Sequence, residues 1–445
     1  MAIPESPPSL ADLARTDPAA FARAFALQAG LDDMRYMHWD ELRHRPPPAG
    51  ATSSDWWFAL KLRRTGALRP LPFTDRHGNP FQFGMTDCIV ELLHRIDMAL
   101  GGRRDALSGL ATSEMRDRYL VSGLIEEAIT SSQMEGASTT RQVASEMLRS
   151  GRAPRTPSEQ MIFNNYRAME FIRSQDRETL TPAVVREIQR ILTLHTLESP
   201  EDAGRLQLPG EPRVKVMDNI DGAVLHEPPD AFELPERLQR LCDFANGQAH
   251  HLGYVHPVVR AILLHFMLAY DHPFVDGNGR TARALFYWGM LNQGYELAEF
   301  LSISRVLKQA QGQYKRAFLH TETDGNDVTY FVIHQLRALE KAIDSLRAYL
   351  DEKTKQLEQI DRRMRAEQKL NHRQRALLAH ALRHPGFRYT IESHRASHAV
   401  AFATARADLL ELASKGFLDE RERSGRTRIF SAPADLGNRL GAAPA

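Results

Sequence analysis

Thirteen residues from Val258 to Tyr270 (VVRAILLHFMLAY) are apolar on nearly every side of a helix, so this segment belongs inside the molecule with other elements packed around it. The pattern stops at His272-Pro273, passes through Gly277-Asn278-Gly279, and resumes as a second helical pattern from Thr281 to Leu291. The glycine turn therefore opens a helix, where unpaired N–H groups and the positive end of the dipole favour an anion.

The residues between and into the second helix, HPFVDGNGRTAR from His272 to Arg283, each suit a step of phosphate chemistry. Gly277 and Gly279 permit backbone angles and a close approach that a side chain would forbid, so N–H groups can point at phosphate oxygens. Asp276 is one hard carboxylate beside the turn, which suits Mg2+ held jointly by protein, water and phosphates. Arg280 and Arg283 are three apart, on nearly one helical face, and suit bidentate contacts with outer phosphates. His272, at the end of the buried helix, suits accepting a proton from an attacking hydroxyl near neutral pH. The group has no covalent nucleophile, which favours direct transfer from a bound nucleotide. Phe274 reads as core packing beneath the loop.

This string resembles the signature of the Fic family, HPFx(D/E)GNGRxxR, at every specified position. The resemblance implies an all-α Fic fold that moves AMP from ATP, with Mg2+, onto a hydroxyl of a target protein. On the matching positions it makes His272 the base and Asp276 the Mg2+ ligand. It makes Gly277, Asn278 and Gly279 the anion hole, with Thr281 beside them, and has Arg280 and Arg283 hold the β and γ phosphates. Phosphoryl, UMP and phosphocholine transfer also occur on such a scaffold; the aspartate and the full anion hole favour AMP.

A second motif, Ser131-Ser132-Gln133-Met134-Glu135-Gly136, follows the helical run Met115 to Thr130. Ser131 and Glu135 are four apart and share a helix face, and Gly136 is a reasonable terminator. The motif resembles the inhibitory (S/T)xxxE(G/N) sequence of one class of the family, whose glutamate pairs with the second signature arginine, here Arg283. An arginine holding a carboxylate is withdrawn from the γ phosphate. The same glutamate can instead orient water to remove AMP from a modified protein, a reverse role seen in related enzymes.

Between the motifs, Pro212 to Pro229 (PRVKVMDNIDGAVLHEPP) breaks the helical pattern and reads as a hairpin with an exposed edge. It resembles the Fic flap, which aligns a target segment by strand addition. Ser302 to Leu319 resembles the helix closing the adenine pocket, with Tyr314 as the candidate contact and core packing as its alternative.

At 445 residues the chain exceeds what one core usually holds. The expected division is a helical N-terminal region at 1–112, a Fic core at 113–334, a connecting helix at 335–370 and a small domain at 371–445. The N-terminal region concentrates aromatic residues (Tyr36, Trp39, Trp56, Trp57) that suit a core. The charged pattern Tyr330 to Leu370, with Leu336, Leu339, Ile343, Leu346 and Leu350 on one stripe, suits a packed spacer or a homodimer surface. The last segment reads as three helices, the third from Ser397 to Ser414, followed by a two-stranded ribbon, and resembles a winged helix-turn-helix. It carries 12 Lys and Arg against 7 Asp and Glu. Arg421, Arg423, Arg426 and Arg428 on the wing suit DNA phosphates, with a protein-interaction module as the alternative. A DNA-binding regulator that uses the Fic core as a nucleotide sensor is thus the second functional reading.

Overall charge excludes little, since 57 basic residues face 56 acidic ones. Two distant cysteines, Cys88 and Cys242, and the lack of a signal pattern or bilayer-length apolar run point to a cytoplasmic protein without membrane partners.

Overall fold

The computed structural model describes residues 3–28, 31–101, 113–175, 178–218, 222–248, 253–366, 370–383, 386–424 and 427–440. The chain divides into two compact units, Met1–Ser108 with Asp117–Leu346, and Gly109–Arg116 with Arg347–Ala445. Both are mainly helical, with short strands.

The first unit opens with α1 (Leu10–Thr16), α2 (Ala19–Gln28), α3 (Trp39–Leu42) and α4 (Ser53–Ala67). Thr52 and Asp55 cap α4 reciprocally, and Trp57, Leu42 and Leu60 are fully buried in the core beneath it. An antiparallel hairpin follows, β1 (Leu68–Thr74) with β2 (Pro80–Gly84), so the N-terminal region is not wholly helical as expected. Pro70 and Pro72 obscure β1 in the sequence, because proline is tolerated only on a strand edge. Nor does this region stand apart from the later chain. Gln82 N donates to Asn326 O (2.9 Å), Val328 N donates to Gln82 O (2.9 Å), and the Tyr36 hydroxyl donates to Asp327 (2.7 Å).

Next come α5 (Asp87–Leu100), α6 (Ser113–Met134), α7 (Arg141–Ser150), α8 (Pro157–Ser174) and α9 (Pro182–Thr193). A short hairpin, β3 (Val216–Met217) with β4 (Val224–His226), precedes α10 (Leu234–Ala245), α11 (Pro257–Asp271) and α12 (Asn278–Asn292). Of the turn expected at Asn219 to Gly222, residues 219–221 lie outside the described residues. α11 is the central helix: Val258, Val259, Ile262, Leu263, Leu264 and Phe266 are all 0% exposed, which is why its sequence is apolar all round. α12 packs so closely on it that a Cβ at Gly289 would come within 2.9 Å of Ala261 Cβ.

The helical run expected from Ser302 to Leu319 is broken at Ala310 (φ −133°, ψ 45°) into α13 (Ile303–Gln309) and α14 (Gln311–Thr323). Gly312 stands two residues past the break, in the first turn of α14. α15 (Thr329–Ala366) follows, and its apolar stripe is buried at Leu336, Leu339 and Ile343. Cys88 and Cys242 are buried free thiols. Among the described residues, no helix is long and apolar enough to cross a membrane.

The second unit contains α16 (His372–Arg383), β5 (Arg388–Thr390), α17 (Ile391–His398), α18 (Phe402–Ser414), β6 (Asp419–Ser424), β7 (Thr427–Ser431) and α19 (Leu436–Arg439). Leu377, Leu378, Leu409, Leu412, Leu418 and Phe430 form its core. The ribbon gains a third strand, in the order β5-β7-β6. Tyr389 and Thr390 belong to β5, and the Thr390 side chain caps α17. The third helix starts at Phe402, not Ser397, because Ala399 takes a left-handed conformation (φ 50°) that ends α17. Arg426 lies outside the described residues, as do the side chains of Arg421 and Arg423.

Candidate active site

The loop between α11 and α12 is built by backbone constraint. α11 ends at His272 in the left-handed region (φ 46°), and Gly277 (φ 82°) precedes α12 without a side-chain cap. A Cβ at Gly277 would lie 2.7 Å from Thr193 Cγ2, so glycine is required there by space as well as by conformation. Asn278 fastens the loop to itself: Phe274 N donates to its Oδ1 (2.9 Å) and its Nδ2 donates to Phe274 O (2.8 Å). Phe274 is fully buried beneath, as its sequence context implied. Arg213 holds the His272 end by donating to Asp271 O (2.7 Å) and His272 O (3.2 Å).

A cavity of about 250 Å³ opens over this loop. It brings His272, Gly279 and Arg283 together with Glu135 of the upstream motif, Tyr314 of α14, and Val216, Met217 and His226 of the β3–β4 hairpin. Arg283 is 2% exposed by side chain and donates from Nη2 to Glu135 Oε1 (2.8 Å) and Ser131 O (2.9 Å), and from Nε to Ser131 Oγ (2.9 Å). The Glu135 carboxylate also lies over the first turn of α12, where a Cβ on Gly279 would collide with its Oε1. The protein's own carboxylate thus sits where a helix N-terminus and an arginine together favour an anion.

The bond between α6 and α12 has a second anchor that the sequence did not reveal. Glu127 is buried and accepts from the Tyr287 hydroxyl (3.0 Å), Ser302 Oγ (3.0 Å) and Ser304 N (3.1 Å). Burial pushes its carboxyl pKa up, against the opposing pull of these donors. The clasp fixes the height of α6, and so of Ser131 and Glu135, against α12.

His272 is held neutral. Burial, with the neighbouring His226 and Arg213, pushes its pKa down to about 4, opposed by Asp276 and by a hydrogen bond with the Val214 backbone. Its Nδ1 is 3.3 Å from Asn278 Nδ2. The imidazole is therefore expected to keep its neutral NMR shifts from pH 8 down to about pH 5 in the nucleotide-free protein. A midpoint near the ordinary 6.5 would contradict the burial described. The sign for stability follows: the unfolded chain binds this proton first, so His272 costs stability as pH falls from 6.5 toward 4.

Not every expected contact faces the cavity. Arg280 is buried, donating from Nη1 to Leu192 O (2.9 Å) and from Nη2 to Asp276 Oδ2 (2.9 Å). The open carbonyl at the end of α9 captures one side of its guanidinium, so Arg280 and Arg283 diverge despite their spacing. Thr281 spends its hydroxyl on Gly277 O (2.8 Å), and the Asn278 side chain is held by Phe274, with its Nδ2 also beside His272 Nδ1 (3.3 Å). Asp276 stays half exposed, with Oδ2 on Arg280. Tyr314 lines the cavity and is packed in the core, with its hydroxyl 2.8 Å from His265 Nε2. Among the described residues there is no cluster of three or more His, Cys, Asp or Glu suited to a metal ion, so a divalent ion here would share Asp276 with substrate oxygens and water.

Arg213 and His226 are the residues the sequence reading missed. His226 Nε2 lies 2.7 Å from Tyr270 O and Nδ1 2.8 Å from Glu322. Their only signal was membership of the non-helical segment beside the signature.

Residues 179–290 of the chain match the Fic/DOC family. Over 119 residues the chain is 34% identical to the protein adenylyltransferase Fic of Drosophila erecta and of Drosophila melanogaster, spanning 27% of this chain and 22% of each relative. The chain thus matches less than a quarter of the length of those curated relatives. The crystal structure of a Fic family protein from Desulfovibrio desulfuricans G20 aligns with 82% of this chain and 98% of its own, with a TM-score of 0.52 and 19% identity, a likeness of fold.

Proposed function

We propose that this chain is a self-inhibited protein adenylyltransferase, transferring AMP from ATP to a hydroxyl side chain of a protein target. The observation that supports it most is the Glu135–Arg283 pair lying over the N-terminus of α12 in the same cavity as His272. His272, neutral at physiological pH, takes the proton of the target hydroxyl as its oxygen attacks the α phosphorus. The new O–P bond forms as the bond to the β phosphate breaks, and pyrophosphate leaves. The N–H groups of the Gly277–Gly279 turn and the freed Arg283 receive phosphate oxygens. Arg280 acts from beneath by holding Asp276 and the end of α9. Asp276 would hold Mg2+ together with the phosphates, where the ion neutralises phosphate charge. Met217 and Val224, both exposed on the β3–β4 hairpin, suit an extended target segment added along the strand edge.

The test is incubation with ATP labelled on the α or on the γ phosphate, followed by mass and label measurement on protein. Label from the α phosphate with a mass gain of one AMP is expected. Label from the γ phosphate would point to phosphoryl transfer, and no label on any protein target, with the inhibitory contact removed, would sink the reading.

The second unit favours an additional role in binding DNA. Its support is the order of helices and hairpin, together with the 12 basic and 7 acidic residues from 371 to 445. Binding to duplex DNA is expected to fall steeply with salt, by a logarithmic slope of about 0.9 for each phosphate neutralised. No binding at low salt would favour a protein partner for this unit instead.

A further inference from the structure

The catalytic reading uses one face of α14, through Gln311, Tyr314, Lys315, Phe318 and Glu322. The opposite face, through Gln313, Arg316, Ala317 and His320, lines a second cavity of about 320 Å³. The rest of its wall comes from the segment before α3, from Glu41 of α3, and from α13 and α15.

The charge of this cavity is one-sided. Arg35, Arg316, Arg337 and Lys341 line it against one carboxylate, Glu41. Among the described residues none of the four cations has a carboxylate partner; Arg337 donates only to Met34 O (3.2 Å) and Cys88 Sγ (3.7 Å). The nearby acids are engaged elsewhere, Asp40 with Arg43 (3.2 Å) and Asp324 with Lys61 (2.7 Å). Four cations around one concave site repel one another unless an anion joins them.

Its imidazoles are arranged beside these cations. His38 and His320 stack at 4.3 Å with planes 5° apart, and Tyr330 meets both edge-on at 5.4 and 5.7 Å. His320 is 7% exposed, yet its Nε2 has no hydrogen-bond partner among the described residues, and Nδ1 of His334 is likewise unpartnered. Buried polar nitrogens left open are uncommon unless something completes them. Burial pushes His38 and His320 down to about 3 and His334 to about 4, so all three are neutral at pH 7 and the positive charge rests on the arginines and the lysine.

We propose that this second cavity binds a small anion bearing two or more phosphate charges, with Arg316 and Lys341 among its contacts. The volume falls in the range of small-ligand pockets. Such chemistry is shared by inorganic pyrophosphate and by the diphosphate of a nucleotide. The proposal is independent of the transfer reading, because neither Arg316 nor Lys341 lines the cavity of His272.

The experiment is calorimetric titration of the full chain with inorganic pyrophosphate and, separately, with ADP. Wild type is compared with the Arg316→Gln, Lys341→Gln double variant; both side chains are exposed, so folding is not at stake. A pyrophosphate site weakened at least about tenfold in the double variant is expected. Weakening for ADP alone would assign the site to a nucleotide. Titrations of both probes that agree within twofold between the two proteins, or no binding to wild type at millimolar concentrations, would overturn the proposal.

Discussion

Glu135→Gly is expected to raise transfer of AMP at least about tenfold over wild type. The Glu135 carboxylate and an incoming γ phosphate compete for one guanidinium. In the resting protein Arg283 Nη2 is 2.8 Å from Glu135 Oε1, and the same oxygen covers the first turn of α12 at Gly279. A γ phosphate arriving there meets a carboxylate instead of its clamp. Two like charges about 4 Å apart at an interior surface repel by about 4 kcal/mol, which sets an upper limit near a thousandfold. The substitution removes the repulsion and frees the clamp together. Arg283 stays in place, because Ser131 O and Ser131 Oγ still accept from it at 2.9 Å. Glu135 is 34% exposed by side chain, so losing the pair costs on the order of 1 kcal/mol of stability, too little to unfold the domain. Glu135→Gln should gain less, since it keeps the bulk over Gly279 while dropping the charge. Adding Arg283→Ala to Glu135→Gly should return transfer to the resting level. If Glu135→Gly yields no more product than wild type over a range of ATP concentrations with a verified target, Glu135 is not inhibitory.

The legibility of this chain follows how local each feature is. The helix–turn–helix around His272 was readable because its chemistry lies within a few residues, and the all-round apolar pattern of α11 could only be a core helix. The Ser131 and Glu135 pair was readable only through resemblance, since Arg283 lies 148 residues downstream of its partner. Side-chain direction was not readable where a remote backbone decides it. Arg280 turns toward Leu192 O, which no spacing on α12 reveals. The same applies to Glu127, whose donors come from α12 and the start of α13. Short strands were the other blind spot. β1 carries two prolines, and β5 has three residues and leads straight into α17, so neither offers a run long enough for alternation to register. The second cavity was invisible for a related reason. Its cations come from positions 35, 316, 337 and 341, and only the packing of α14 on α15 and the N-terminal segment collects them.

His272→Ala, introduced into the Glu135→Gly protein, is expected to reduce transfer by about 10²–10⁴. The imidazole is the base of the proposed transfer, and with its pKa pushed down to about 4 it is neutral and free to accept a proton throughout the physiological range. Without it the hydroxyl must attack while still carrying its proton. The fold should survive, because the His272 end of the loop is held through its backbone: Arg213 donates to His272 O, and Gln207 N donates to Pro273 O (2.9 Å). Histidine and alanine both carry a Cβ, so the replacement adds little strain at φ 46°. A base and a structural residue then separate by readout. Loss of the base lowers kcat while the KM for ATP moves only a few fold, and it removes the acid limb of the pH profile along with the titrating group. Loss of a structural part would instead weaken ATP binding and lower Tm together. Transfer at full rate by a folded His272→Ala, Glu135→Gly protein would mean that the target's proton leaves by another route.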